Sequence, residues 1–203
     1  MSISGNSAEN YVEVYDEPLH RVQWSNDYAL VYTVNIPRRG LTLWHRHCQD
    51  TVYCSISNVA VAETLPGQAA VTRHSACGSA MSRAHRTEPL VHQIENVGDE
   101  VVRFVAAEAR HRPPIVQAQA LLAAGHQLDW QAERFRVYQL SITNTAARVD
   151  YGFYGLLVAL QAMRVEIDGH ATLQLAAGDW YWLAPPLSCH YAQDARGIVI
   201  EWL

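Results

Sequence analysis

Two histidines one residue apart, His45 and His47, stand in the run Gly40-Leu-Thr-Leu-Trp-His-Arg-His-Cys-Gln-Asp50. An apolar stretch, Val52 to Ile56, follows. Successive side chains on a strand point to opposite faces, so a His-x-His pair aims both imidazoles to one side. Two convergent imidazoles fill a core badly and hold a divalent metal well. A third imidazole, His92, lies in His92-Gln-Ile-Glu-Asn96, and Asp50 offers a carboxylate close to the pair. Three neutral imidazoles on a six-coordinate ion leave positions for water, dioxygen or a substrate oxygen. With Asp50 the set becomes three histidines and one carboxylate. Without it, Asp50 or Gln49 could orient an imidazole through its other ring nitrogen.

The elements that must position these residues read as short strands. Residues 29–36, 52–56, 101–105 and 162–167 are rich in β-branched and aromatic or other apolar types. Gly, Pro, Asn and Asp punctuate them at Pro37–Gly40, Pro66–Gly67, Asn96–Asp99, Asp168–Gly169 and Gly178–Asp179. The chain also repeats itself. His20, Trp24, Val31, Tyr32 and Ile36 recur as His126, Trp130, Val137, Tyr138 and Ile142, all at an offset of 106 residues. Self-similarity in register implies duplication of a structural unit. Between the copies, Pro113-Pro114 can start a helix, residues 115–124 favour one, and Gly125 can end it. The expected organisation is a tail at 1–10, a barrel at 11–111, a helical connector at 112–125 and a second barrel at 126–203.

These residues resemble the two-motif signature of the cupin superfamily. The first motif is Gly40, His45-Arg-His47 and Asp50; the second is Gly78 with His92-Gln-Ile-Glu-Asn96. Thr51 and Val52 stand where the family usually places Glu. The resemblance covers most of the first copy, and the repeat extends it across the second, so the chain is similar to the bicupins. It implies an all-β fold of two tandem antiparallel β-barrels, of double-stranded β-helix or jelly-roll type. It implies one divalent transition metal per chain held by His45, His47, His92 and Asp50. Fe(II) is favoured, with Zn, Mn or Ni as alternatives. The implied activity is that of a mononuclear metalloenzyme on a small organic molecule, a dioxygenase or a Lewis-acid isomerase, lyase or cyclase. A non-catalytic ligand-binding bicupin is the other reading.

If residues 79–85 are a strand, Met81, Arg83 and His85 share one face. Facing inward, Arg83 would hold a substrate carboxylate and His85 would act as general acid or base. Facing outward, both would be solvated. Trp44, Arg46 and Cys48 should face away from the metal. In the second copy, Tyr151 and Phe153 take the places of His45 and His47, and His190 the place of His92, so that barrel should carry no metal and His190 should be a satisfied core residue. Formal charge is −5 over 203 residues, with no basic run, which argues against nucleic acid. No apolar stretch is long enough for a membrane span, and residues 1–10 do not read as a secretory signal. Four cysteines without a Cys-x-x-Cys suggest free thiols in the cytoplasm, Cys48 and Cys54 among them as buried and inert. Barrels with exposed edges also suggest a homodimer.

Overall fold

The computed structural model describes residues 10–144, 146–169, 172–191 and 194–203. The expected tail therefore lies outside the described residues, Asn10 excepted. The chain divides into two units, Met1–Arg110 and His111–Leu203.

The first unit holds β1 (Val12–Glu13), β2 (His20–Ser25), β3 (Ala29–Ile36), β4 (His45–His47), β5 (Thr51–Ser55), β6 (Val59–Thr64), β7 (Val71–Ser75), β8 (Ala80–Arg83), β9 (Leu90–Asn96) and β10 (Val102–Ala109). They form two five-stranded sheets, ordered β1-β4-β9-β6-β7 and β2-β3-β10-β5-β8. The second unit holds β11 (His126–Gln131), β12 (Phe135–Ile142), β13 (Ala147–Tyr151), β14 (Gly155–Ala159), β15 (Met163–Ile167), β16 (Leu173–Leu175), β17 (Trp180–Leu183), β18 (Leu187–Tyr191) and β19 (Ala195–Trp202). Its sheets run β11-β12-β19-β14-β17 and β13-β18-β15-β16, the same order with one strand fewer.

The duplication extends to irregularities. The β2–β3 ladder shifts register between Val22 and Trp24, and the β11–β12 ladder shifts between Leu128 and Trp130. A bulge increases local twist, so both copies bend at the repeated Trp. The interiors differ. In the second unit Tyr151, Phe153, Tyr191, Met163 and Leu183 join one continuous buried core. In the first, the core is smaller and built from Leu30, Tyr32, Val34, Ile36, Val59 and Val61. The remaining interior holds a cavity of about 430 Å³, lined by apolar side chains together with histidines, Glu63, Arg73 and Arg83.

The connector is not a helix. Among the described residues the only helical element is a 3-10 turn, Val14–Asp16, and residues 112–125 are irregular. Helix propensity is overridden by capture of the backbone. Arg136 donates to the carbonyls of Gln117 at 2.8 Å, Gln119 at 3.2 Å and Ala118 at 3.4 Å. Leu121 N–H donates to Tyr138 Oη, and Ala120, Leu121 and Ala123 pack on the second core. Carbonyls taken by a guanidinium are not available to the i+4 amides a helix requires. Glu201 fixes that guanidinium at 3.1 Å, and both side chains are buried. Removing one partner of such a pair strands the other. Arg136→Leu should therefore lower stability by about 3–5 kcal/mol, read from urea denaturation; a loss typical of a surface change would show that the strap is held by its apolar contacts alone.

Candidate metal centre

The register of the first unit builds the site. β4 pairs antiparallel with β9, and His45 stands directly opposite His92. Their side chains therefore emerge on one face as nearest cross-strand neighbours. His47, two residues on, shares that face. His20 enters from β2 in the other sheet. One ring nitrogen from each of His20, His45 and His47 lies within 4.8 Å of the others. His92 Nε2 lies 3.0 Å from His45 Nε2 and 3.2 Å from His47 Nε2. All four residues are buried.

The opposite ring nitrogens decide the tautomers. His45 Nδ1 is 2.9 Å from the Leu43 carbonyl, His92 Nδ1 is 2.9 Å from Glu63 Oε1, and His20 Nδ1 is 2.6 Å from Glu17 Oε2. A carbonyl or ionised carboxylate can only accept, so each Nδ1 carries a proton, and in a neutral ring Nε2 then presents a lone pair. Burial, then the neighbouring His92 and His20 rings, pushes His45 down to about 3. Burial, then His92, His45 and His85, holds His47 well below the ordinary imidazole value. His92 is lowered too, by burial outweighing its bond to Glu63. His45, His47 and His92 are thus neutral bases at pH 7. Converging lone pairs repel unless a cation sits among them. Two nitrogens about 2.1 Å from one ion are roughly 3.0 Å apart at a right angle and roughly 3.4 Å apart at the tetrahedral angle. The observed spacings of 3.0 and 3.2 Å match that range, so the residues fit a divalent ion.

Glu63 and Glu17 complete the frame. Burial opposes the ionisation of Glu63, but hydrogen bonds from His92, Arg83 and Arg73 outweigh it and hold the carboxyl well below its usual range. Burial likewise opposes the ionisation of Glu17, and its bond to His20 again prevails. Carboxylates behind metal-ligating histidines fix ring orientation and raise ligand basicity.

Three expected residues fall elsewhere. Asp50 does not join the cluster. It sits in the turn after β4, where Oδ1 accepts the Arg86 N–H at 3.0 Å and so pins the loop carrying His85. Arg83 lines the cavity, but its guanidinium grips Glu63 with both terminal nitrogens, at 2.6 and 3.0 Å. His85 lies beyond the end of β8, buried behind the site and stacked on His47 with ring centres 4.9 Å apart. Tyr53 Oη lies 3.3 Å from His47 Nδ1 and 3.2 Å from His85 Nε2. With the His47 proton on Nδ1, Tyr53 accepts from His47 and donates to His85. Arg46, on the opposite face of β4 as alternation requires, pairs with Glu13 at 2.5 Å.

His20 is the site residue that motif reading missed. Its signal was in the sequence, because it opens the repeat that His126 opens again. His126 keeps the same station: its Nε2 is 2.8 Å from Tyr151 Oη, where His20 faces His45. Leu187, not His190, pairs with Tyr151 as His92 pairs with His45. His190 is three residues further along β18, hence on the other face, half-exposed and bonded to Asp168 at 2.9 Å. Asn96 of the second motif is a staple. Its amide donates to the carbonyls of Ile36, Pro37 and Glu100, and its Oδ1 accepts from Gly98. Gly78 takes a left-handed φ of 87°, a conformation that favours glycine. Cys54 is buried, and burial pushes its thiol up to about 12, as an inert packing residue requires.

No protein-family model and no curated protein matches the chain. Solved structures do. The protein Ylba from E. coli is 13% identical over 92% of this chain and 84% of that one, with a TM-score of 0.63. A cupin 2 conserved barrel domain protein from Leptotrichia buccalis is 10% identical over 91% and 88%, with a TM-score of 0.56. The chain has the cupin fold. A salicylate 1,2-dioxygenase from Pseudaminobacter salicylatoxidans shares that fold as well, at 11% identity over 91% of this chain and 76% of that one, with a TM-score of 0.62. At such identities the likeness is one of architecture, and the chemistry of this cupin barrel rests on its own side chains. No helix among the described residues is long and apolar enough to cross a membrane.

One buried acid lies apart from the imidazoles. Glu108 on β10 accepts from Tyr15 Oη through Oε2, while its Oε1 has no partner among the described residues. Burial, only partly offset by that bond, raises its carboxyl to about 7. The folded chain thus keeps a proton that the unfolded chain loses near pH 4.5. Its contribution to stability falls as pH rises from about 4.5 through about 7 and is constant above. Relative to Glu108→Gln, the wild type should lose about 2–3 kcal/mol between pH 4.5 and 8; parallel stability profiles for the two proteins would show that folding does not raise the Glu108 carboxyl. The metal reading makes its own demand. His20→Ala and Glu63→Gln should each weaken Co(II) affinity by about 10–100-fold, followed by visible absorption, while His190→Ala should not. A His20→Ala protein that binds Co(II) as the wild type does would remove His20 from the ligand set.

Proposed function

We propose that the chain is a metal-dependent cupin enzyme acting on a small organic molecule, and that the reaction is of the Fe(II) dioxygenase type. The observation that carries this reading is the convergence of four buried imidazoles, His20, His45, His47 and His92, beside a cavity large enough for a substrate. A divalent ion held there would supply Lewis acidity and, as iron, redox chemistry with dioxygen. Imidazole donors suit Fe, Zn, Cu and Ni alike. The precedent for dioxygen chemistry is the salicylate 1,2-dioxygenase of the same fold. His45 and His92 hold their Nδ1 protons toward the Leu43 carbonyl and Glu63, so their Nε2 atoms are left to face the cluster. Val34, Ile36, Val61 and Phe104 are apolar residues of the cavity wall.

A Lewis-acid isomerase, lyase or cyclase is the second reading, and Tyr53 favours it. Its hydroxyl joins His47 to His85 and lines the cavity. Such a bridge can move a proton between the buried His85 and the site, as a reaction that relocates a substrate proton requires. We further propose a homodimer formed through an edge such as β8 or β17, at which each sheet order ends. A reducing, cytoplasmic location is proposed on the four free cysteines.

The test begins with metal analysis. Wild type should carry about one equivalent of metal per chain, and His45→Ala and His92→Ala should carry little. Wild type without stoichiometric metal, or indistinguishable from these variants, overturns the proposal. The Fe(II)-loaded protein should then consume dioxygen with a member of a panel of small ring acids that starts with salicylate. Turnover that proceeds equally without dioxygen and with Zn(II) replaces the oxygenase reading by the Lewis-acid one.

A further inference from the structure

The cavity of the first unit carries an unbalanced charge. Its carboxylate and guanidinium groups are Glu63, Arg73 and Arg83. Arg83 takes both oxygens of Glu63 in a two-pronged grip and by itself neutralises that carboxylate. Arg73 adds its Nε–H to the same carboxylate. The wall therefore keeps one positive charge that no acid in it offsets.

That charge is placed to be used. Arg73 sits on β7, the edge strand of its sheet, and lines the cavity with about half its side chain exposed. Its two terminal amino groups make no hydrogen bond among the described residues, whereas Arg83 has spent both of its own on Glu63. A guanidinium anchored through Nε is oriented, and its free edge matches the two oxygens of a second carboxylate. The hydroxyl-bearing Thr72 and Ser75 flank it, and the rest of the wall is mostly apolar: Val34, Ile36, Val59, Val61, Ile94 and Phe104. The cavity of 430 Å³ equals about fourteen water volumes, room for a ring or a short chain as well as its charged end.

We propose that this cavity selects a small organic monoanion with an apolar body, its carboxylate held by the terminal amino groups of Arg73 and its body directed toward the imidazole cluster. The inference rests on reading this cavity as the substrate site of the metal centre. Arg73 is then a specificity residue; Arg83 is a positioning residue that keeps Glu63 on His92.

Benzoate and its neutral counterpart benzamide are the probes, titrated calorimetrically into the full chain as purified and after Zn(II) loading, with metal content measured on the same samples. Benzoate should bind at least tenfold more tightly than benzamide. Arg73→Gln should abolish that preference, so that benzoate and benzamide bind alike at whatever metal content is measured for that variant, and Arg73→Lys should restore part of it. Equal affinities for the two probes, no measurable binding of either, or an Arg73→Gln protein that still prefers benzoate would overturn the inference. So would inorganic phosphate competing as well as benzoate, since the apolar body would then contribute nothing. The metal measurement separates the two claims. Full metal without an anion preference sinks this inference alone, and an Arg73-dependent preference in a chain that never holds metal sinks the metalloenzyme reading alone.

Discussion

The first barrel depends on where four imidazoles keep their protons. A lone buried histidine can satisfy itself with either nitrogen. Four in contact cannot choose independently, because each bare nitrogen repels the next. Here the choice is made from outside the cluster, by the Leu43 carbonyl, Glu17 and Glu63 on one ring each. Those three acceptors come from a loop, the turn before β2 and the strand β6, so much of the first unit is involved in orienting the rings. Glu63 in turn is kept ionised in a buried place by two arginines, and the cluster is as much an electrostatic construction as a geometric one.

The second unit shows what the same frame does without that construction. Strand order, the bulge before the repeated Trp, and the stations of His20 and His126 are shared. Phenol and hydrocarbon replace imidazole, and the interior closes. Tyr151 bonds to His126 and to Tyr191, which satisfies both hydroxyls inside a packed core. A filled interior stabilises by burial, and a polar one must be compensated group by group. The two barrels represent the two outcomes of one duplicated scaffold, one kept for packing and one with an open cavity.

Much of this was legible in the sequence because it is local. Strand alternation put His45 and His47 on one face, and the internal repeat predicted a second, related β unit. What escaped was non-local or was decided by competition. Glu63 and Arg73 reach the site only through the β6–β7 hairpin and its pairing with β9, which no spacing in the chain announces. Asp50 was close in sequence, yet the turn it occupies gives its carboxylate to a backbone amide first. The connector has helical composition, and a single guanidinium from β12 claimed its carbonyls. His190 failed on parity: three residues along a strand reverses the face.

The direct opposition of His45 and His92 has a mechanical consequence. β4 is three residues long, too short to hold its register by apolar pattern alone. A slip of one residue would turn His45 and His47 out of the barrel and Arg46 into it. Whatever cation gathers the Nε2 atoms from β4, β9 and β2 also locks that alignment and ties the two sheets together. Occupancy of such a centre and correct assembly of the barrel would then be one linked equilibrium, and the supply of the ion would set how much of the chain is folded in its working form.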